Sequence, residues 1–223
     1  MATSVAETQS SLKSFLGGHP GIKYIPPTSP DFSSVSATHN RSYTSVPVAV
    51  VRPQTAEHVA TLVSYCAANG IKFTVRVGGN NIYGLSKAQD ALMIDLRDIN
   101  YSNVNGSRTS VSVGGGILQT KLVKDLADQG LVTPTGTVGY LGMVGWSIFG
   151  GYGALALKYG LGLDNILGAK IVNAKGEVVV ADAELLKGIR GAGGALGVIV
   201  ELTVKVYPLK RVSCHWLFQP ICN

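Results

Sequence analysis

"PVAVVRPQTAEHVATLVSYCAANGIKFTVRVGGNN" occupies residues 47–81. It opens on a short β-branched run closed by Pro53, which reads as a buried strand. Thr55 then predicts the N-cap of a helix running to about Asn69, with Val59, Leu62, Val63 and Cys66 on one face and Gly70 as the stop. "IKFTVR" (71–76) is a second strand, and a strand–helix–strand unit of this kind makes a parallel crossover. Directly after it the chain gives up its side chains at Gly78 and Gly79 and adds Asn80 and Asn81. Glycine costs stability unless the backbone takes unusual dihedrals or something approaches it closely.

Outward from that unit the pattern stays mixed. Residues 5–16 predict a short helix ended by Gly17 and Gly18. Residues 19–45 are rich in Pro, Ser and Thr and read as extended or looped chain. "ALMIDLRDI" (91–99) predicts a strand, and "SVSVGGG" (110–116) alternates and breaks. "ILQTKLVKDLADQG" (117–130) predicts an amphipathic helix with Ile117, Leu118, Leu122, Val123 and Leu126 as its apolar stripe. "AKIVNAKGEVVVA" (169–181) reads as a hairpin turning at Lys175-Gly176, "AELLKGIRG" (183–191) as a short helix, and "GVIVELTVKVYP" (197–208) as a long strand. The expected organisation is a segment 1–44, lobes at about 45–104 and 105–208, and a tail 209–223.

With 223 residues, 46% hydrophobic and 14% charged, the composition is that of a globular chain. At this size a fold buries roughly 70–75% of its unfolded surface without staples. The net charge of +6 suits an anionic ligand, but the basic residues are scattered without interleaved aromatics, which argues against nucleic acid. No window is long and apolar enough for a membrane span, and the N-terminus lacks the pattern of a secretory leader, so the expectation is cytoplasmic. Cys66 reads as a buried thiol. Cys214 and Cys222, with only His215 beside them, make a poor metal or disulfide motif.

Two stretches are stripped of bulk. Gly78 to Asn81 follows a strand, so its amides can converge on an anion; an ordinary turn is the alternative. "TPTGTVGYLGMVGWSIFGGYGALALKYGLGLDN" (133–165) carries glycines at 136, 139, 142, 145, 150, 151 and 153, which open a surface for a long flat ligand or permit close packing. "GAGGALG" (191–197) is no dinucleotide fingerprint, because its glycines follow a helix and open a strand.

Together, residues 47–81, "LGMVGWSIFGGYGALALKYGLGLDN" (141–165) and "IRGAGGALGVIVELTVKVYP" (189–208) resemble the flavin domain of the vanillyl-alcohol oxidase / p-cresol methylhydroxylase (PCMH) superfamily. The berberine-bridge-enzyme-like FAD-linked oxidoreductases are the branch they look most like. The resemblance covers about residues 45–208 and implies an α+β fold of two α/β subdomains with FAD between them. It implies that Arg76, Val77, Gly78, Gly79, Asn80, Asn81, Leu85 and Ser86 surround the FAD pyrophosphate through backbone amides. Pro134, Gly136, Thr137, Gly139, Gly142, Trp146, Gly150, Gly151 and Gly153 would line the flavin and ribityl chain, and Gly197 and Val198 the adenine side.

The departures from the family pattern are informative. The histidine that tethers flavin in many members is matched by Asn80, which forms no such bond, and a second, cysteinyl link is matched by Val138. The resemblance therefore implies noncovalent FAD. It also implies a C-terminal substrate domain, whose place after residue 208 is taken here by a short tail, so a partner chain, a homo-oligomer or a longer gene product is expected to cover the open flavin face. No catalytic base stands out; Tyr140, Tyr152 and Tyr159 qualify by chemistry alone, while His39 and His58 look like surface or helix positions. The implied function is oxidation of a small organic substrate by hydride transfer to FAD in a fungal secondary-metabolite pathway. The alternatives are a non-catalytic flavin-domain remnant and a non-redox isomerase or cyclase using the same pocket.

Overall fold

The computed structural model describes residues 4–210. Helix α1 (Val5–Gly17) starts at a Ser4/Glu7 capping box, followed by β1 (Lys23–Ile25) and the single-turn α2 (Phe32–Val35). The sequence pattern left residues 19–45 without a named element; three residues pairing at a sheet edge are too few to give a periodic signal. The crossover unit follows as β2 (Ala49–Arg52), α3 (Ala56–Ala68) and β3 (Phe73–Arg76). The Thr55 side chain accepts from His58 N at 3.2 Å, and Gly70 leaves the helix at φ +64°.

Strand β4 (Leu92–Asp95) is wholly buried and lies between β2 and β3, parallel to both. The first sheet therefore runs β1-β2-β4-β3, with β1 antiparallel at the edge. The strand expected over 91–99 stops at Asp95, whose carboxylate accepts from Arg97 N at 3.2 Å and turns residues 96–98 into a 3-10 turn.

The second sheet is antiparallel. It is built from β5 (Ser102–Val104), β6 (Ser110–Gly114), then, beyond α4 (Gln119–Ala127), β7 (Leu131–Val132), α5 (Met143–Ile148) and α6 (Ala156–Tyr159), from β8 (Ile166–Val172) and β9 (Val178–Val180). After α7 (Ala183–Ala192), β10 (Val198–Lys205) fills its centre, giving the order β5-β6-β10-β8-β9. Strand β11 (Tyr207–Pro208) pairs with β7 apart from this sheet. Strand β5 thus joins the second sheet, although its residues fall in the segment assigned to the first lobe.

The α4 stripe holds at Ile117, Leu122 and Leu126, but Val123 is 47% exposed, because it falls off the i, i+4 row that Leu122 and Leu126 share. Helix α7 breaks at Arg190 and Gly191. Helix α3 sits between the sheets: Val59, Leu62, Val63 and Cys66 share one apolar cluster with Val51, Leu92 and Ile94 of the first sheet and Val172 and Val198 of the second. A second cluster lies under α4, α5 and α7, around Ile117, Leu126, Met143, Ile166 and Leu202. Among the described residues no helix is long and apolar enough to cross a membrane. Cys214, His215 and Cys222 lie outside the described residues.

Candidate functional site

Strand β3 ends at Arg76, and Val77 begins the stripped loop. The Arg76 guanidinium is 6% exposed and faces inward. Its Nε and Nη2 donate to the Ala37 carbonyl at 3.3 and 2.8 Å, and Nη1 donates to the Val77 carbonyl at 3.2 Å. Nη1 also lies 3.6 Å from the fully buried Asp95 carboxylate, which Arg97 grips with Nη2 at 2.6 Å. Burial, reinforced by Arg97 and Arg52, lowers the Arg76 pKa to about 10, with Asp95 opposing. The Arg76 side chain is thus committed to protein partners, and its main chain belongs to β3 beside Asp95.

The loop after Arg76 and the segment after Pro134 meet. Asn80 Nδ2 donates to the Gly78 carbonyl at 3.0 Å and to the Tyr140 carbonyl at 3.2 Å. A Cβ on Gly78 would overlap the Tyr140 carbonyl and stand 2.9 Å from Gly142 N, and one on Gly142 would stand 2.8 Å from Val77 Cγ1. Glycine at 78 is therefore required by loop-on-loop approach. Asn81 closes its own turn, its Oδ1 accepting from Tyr83 N and Leu85 N at 2.9 and 3.1 Å. Leu85 is 66% exposed, whereas Ser86 is buried and its carbonyl accepts from Thr74 Oγ1.

The second segment is pinned to the start of α4. Gln119 N and Thr120 N donate to the carbonyls of Leu141 and Gly139 at 2.9 and 2.8 Å, and Met143 N donates to Ile117 at 3.0 Å. Gln119 is 1% exposed; its Oε1 accepts from Gly136 N at 2.9 Å, and its Nε2 has no partner among the described residues. Trp146 stands over the same turn, with Nε1 donating to the Tyr152 carbonyl at 3.2 Å and its ring packed on Gly151 and Gly162. Gly153 abuts the Thr135 carbonyl, where a Cβ has no room. Pro134 is buried, Thr137 is exposed, and Gly150 faces open space.

Protein atoms thus occupy most of the space the glycines leave, and what the two segments offer a ligand is N–H groups. Among the described residues the amides of Gly78, Gly79, Asn80 and Asn81, and those of Thr137, Val138, Gly139 and Tyr140, have no hydrogen-bond acceptor. Gly79 takes φ +71° and its carbonyl accepts from His39 N at 2.9 Å. In a trans peptide the following N–H points the opposite way, so Asn80 N–H faces away from His39. Unpaired amides on a glycine-rich bend form an anion-binding nest. Together with the orphaned Gln119 amide, they fit a pyrophosphate-bearing cofactor.

Gly197 and Val198 lie at the β8–β10 pairing, where a Cβ on Gly197 would stand 2.6 Å from the Val172 carbonyl and Val198 is buried in the core. Tyr159 stacks on Tyr207 at 3.9 Å, a packing role. Tyr140 and Tyr152 are 52% and 76% exposed, and Tyr140 stacks loosely with His39 at 6.0 Å. His58 sits in the first turn of α3, where Nδ1 accepts from Gln54 N. Sequence reasoning missed Ala37, Asp95 and Gln119; the first acts by its carbonyl, and the others carry a motif-free role that only the fold exposes. An open groove of about 480 Å³ lies away from these loops, lined by Phe15, Tyr65 and Gly176.

The FAD binding domain family matches residues 47–182, more than half of the chain. The FAD-linked oxidoreductase aurO of Gibberella zeae is 37% identical over 95% of this chain and 42% of its own length. The (R)-6-hydroxynicotine oxidase of Paenarthrobacter nicotinovorans is 35% identical over 84% of this chain and 42% of its own. The chain therefore spans well under half the length of the curated relatives it matches. Among solved structures, 6-hydroxy-D-nicotine oxidase from Arthrobacter nicotinovorans superposes with a TM-score of 0.80 at 33% identity, covering 83% of this chain and 42% of that one. The wild-type BBE-like 1 protein of Physcomitrella patens superposes with a TM-score of 0.83 at 28% identity, covering 88% and 44%. The chain belongs to the FAD binding domain family, with the PCMH-type α+β fold of the berberine-bridge-enzyme-like FAD-linked oxidoreductases.

Proposed function

We propose that this chain holds FAD noncovalently and serves as the flavin-binding part of a cytoplasmic oxidoreductase acting on a small organic molecule. The observation that carries the reading is the meeting of the Gly78–Asn81 bend with the 136–142 segment, both presenting unpaired amides. Backbone donors fixed in place before binding suit a diphosphate, because no side chain has to be ordered around it. The amides of residues 78–81 would hold the diphosphate, and the 136–153 segment with Trp146 would support the rest of the cofactor. When bound, FAD would supply two-electron oxidation of the substrate, with dioxygen as the reoxidant.

Asn80 supports the noncovalent part. A carboxamide is not a nucleophile toward a flavin ring, and here its nitrogen is committed to two carbonyls. A surface left uncovered supports a covering partner: Tyr83, Leu85, Tyr152 and Leu157 are all more than 60% exposed. The fungal FAD-linked oxidoreductases among the relatives support a place in fungal secondary metabolism.

The test is spectroscopic. Protein purified or reconstituted with FAD is expected to show a flavin absorption spectrum, and denaturation is expected to release all of it into the protein-free filtrate. Protein that takes up no FAD at micromolar concentrations overturns the flavin reading. Flavin that stays with the denatured chain overturns the noncovalent one.

A further inference from the structure

Besides the bonds the stripped loop makes within itself, an earlier stretch of chain runs along it. The His39 amide donates to the Gly79 carbonyl at 2.9 Å. Asn40 Nδ2 and Tyr43 OH donate to the Ile82 carbonyl at 3.4 and 3.2 Å. The Tyr43 ring fills the space beside Gly84, where a Cβ would stand 2.7 Å from the ring carbon Cδ1. The Ala37 carbonyl receives two donors from Arg76. Residues 37–43 come from the Pro/Ser/Thr-rich stretch that carries no sequence motif.

We infer that residues 37–43 are a strap that fixes the cofactor loop, and that Arg76 is a positioning residue fastening the strap to the first sheet. This rests on the flavin reading for its functional consequence. The mechanism is one of sidedness. Strap donors occupy the outward carbonyls of Gly79 and Ile82, and the peptide plane then turns the Asn80 amide the other way. The Arg76 fork spans the strap at Ala37, the loop at Val77 and the sheet at Asp95. Lysine lacks the planar fork needed to reach those partners together. With no histidyl tether at position 80, retention of the ligand depends on how well this loop is held.

The experiment uses the full chain without FAD, followed by hydrogen–deuterium exchange of peptides covering residues 37–45 and 82–88, and a parallel FAD titration by fluorescence quenching. In Tyr43→Ala and Arg76→Lys, the protected amides of His39, Tyr83 and Leu85 are expected to exchange at least about tenfold faster, with α3 and β4 unchanged. The FAD dissociation constant is expected to rise by a similar factor. Tyr43→Phe keeps the ring against Gly84 and loses only the hydroxyl bond, so it should recover most of the protection. If Arg76→Lys does not fold, the Tyr43 pair decides. Unchanged exchange in Tyr43→Ala, or an equal rise across the whole first sheet, overturns the strap. A wild-type chain that binds no FAD overturns the flavin reading, while the exchange data still decide the strap.

Discussion

The side-chain amide of Asn80 donates to the main-chain carbonyl of Tyr140 at 3.2 Å, joining two loops 60 residues apart in sequence. The same nitrogen also holds the Gly78 carbonyl. Two such bonds contribute about 1–2 kcal/mol net. Asn80→Ala is therefore expected to weaken FAD binding by roughly 5–30-fold. Calorimetric titration checks this, and a change under about twofold would mean that the tie does not hold the site.

Gly78 and Gly145 should respond oppositely to the same added methyl. At 78 it would collide with main-chain atoms, which cannot swing aside. Gly78→Ala is expected to cost about 1–3 kcal/mol in denaturant unfolding and to abolish flavin uptake. At 145, inside α5, nothing lies within 4 Å. Gly145→Ala is expected to stabilise by up to about 1 kcal/mol through helix propensity. Equal behaviour of the two would remove the case for loop-on-loop contact at 78.

Alkaline pH should weaken the fold through its tyrosines. Burial raises the pKa values of Tyr24, Tyr101 and Tyr207 above the usual 10.0, and for Tyr101 the bond to the Glu201 carboxylate raises it further. Well below pH 10 both folded and unfolded chains keep these protons, so their contribution is fully present. Above it the unfolded chain releases protons that the fold retains, so stability falls as pH rises. Denaturant midpoints across pH 8 to about 11 should drop, and Tyr101→Phe should flatten the slope. A wild-type midpoint that does not move over that range defeats this prediction.

Cys66 should be inert. It is fully buried on α3, and loss of solvation pushes its thiol up to about 12. In a Cys214→Ser, Cys222→Ser background, iodoacetamide at pH 8 should label it only in denaturant. Fast labelling of the folded protein would show that α3 opens locally.

Much of this fold is written in local pattern. Thr55 and Gly70 bracket α3 because capping and left-handed termination are properties of single residues. The insertion of β4 between β2 and β3 is not so written, since strand order depends on which buried edge wins, a contest between distant segments. The same division runs through the site. Gly78 and Gly79 announce themselves as missing side chains, but the reason at 78 is Tyr140, which no spacing rule connects to it. Val123 fits a loose apolar stripe on paper, yet it is exposed, because it sits at the margin of the row that Leu122 and Leu126 bury. Gln119 gives no sequence signal, because a buried amide without a partner becomes visible only when its neighbours are in place.

The wedge formed by α3 bears on how a ligand would be admitted. One continuous interior runs from Val51 through Val59 and Val63 to Val172, so the two halves share a core beside the second half's own cluster. Rotating one half away from the other would tear that interior. Entry would then proceed by rearranging surface bends, and heat should melt both halves in a single transition.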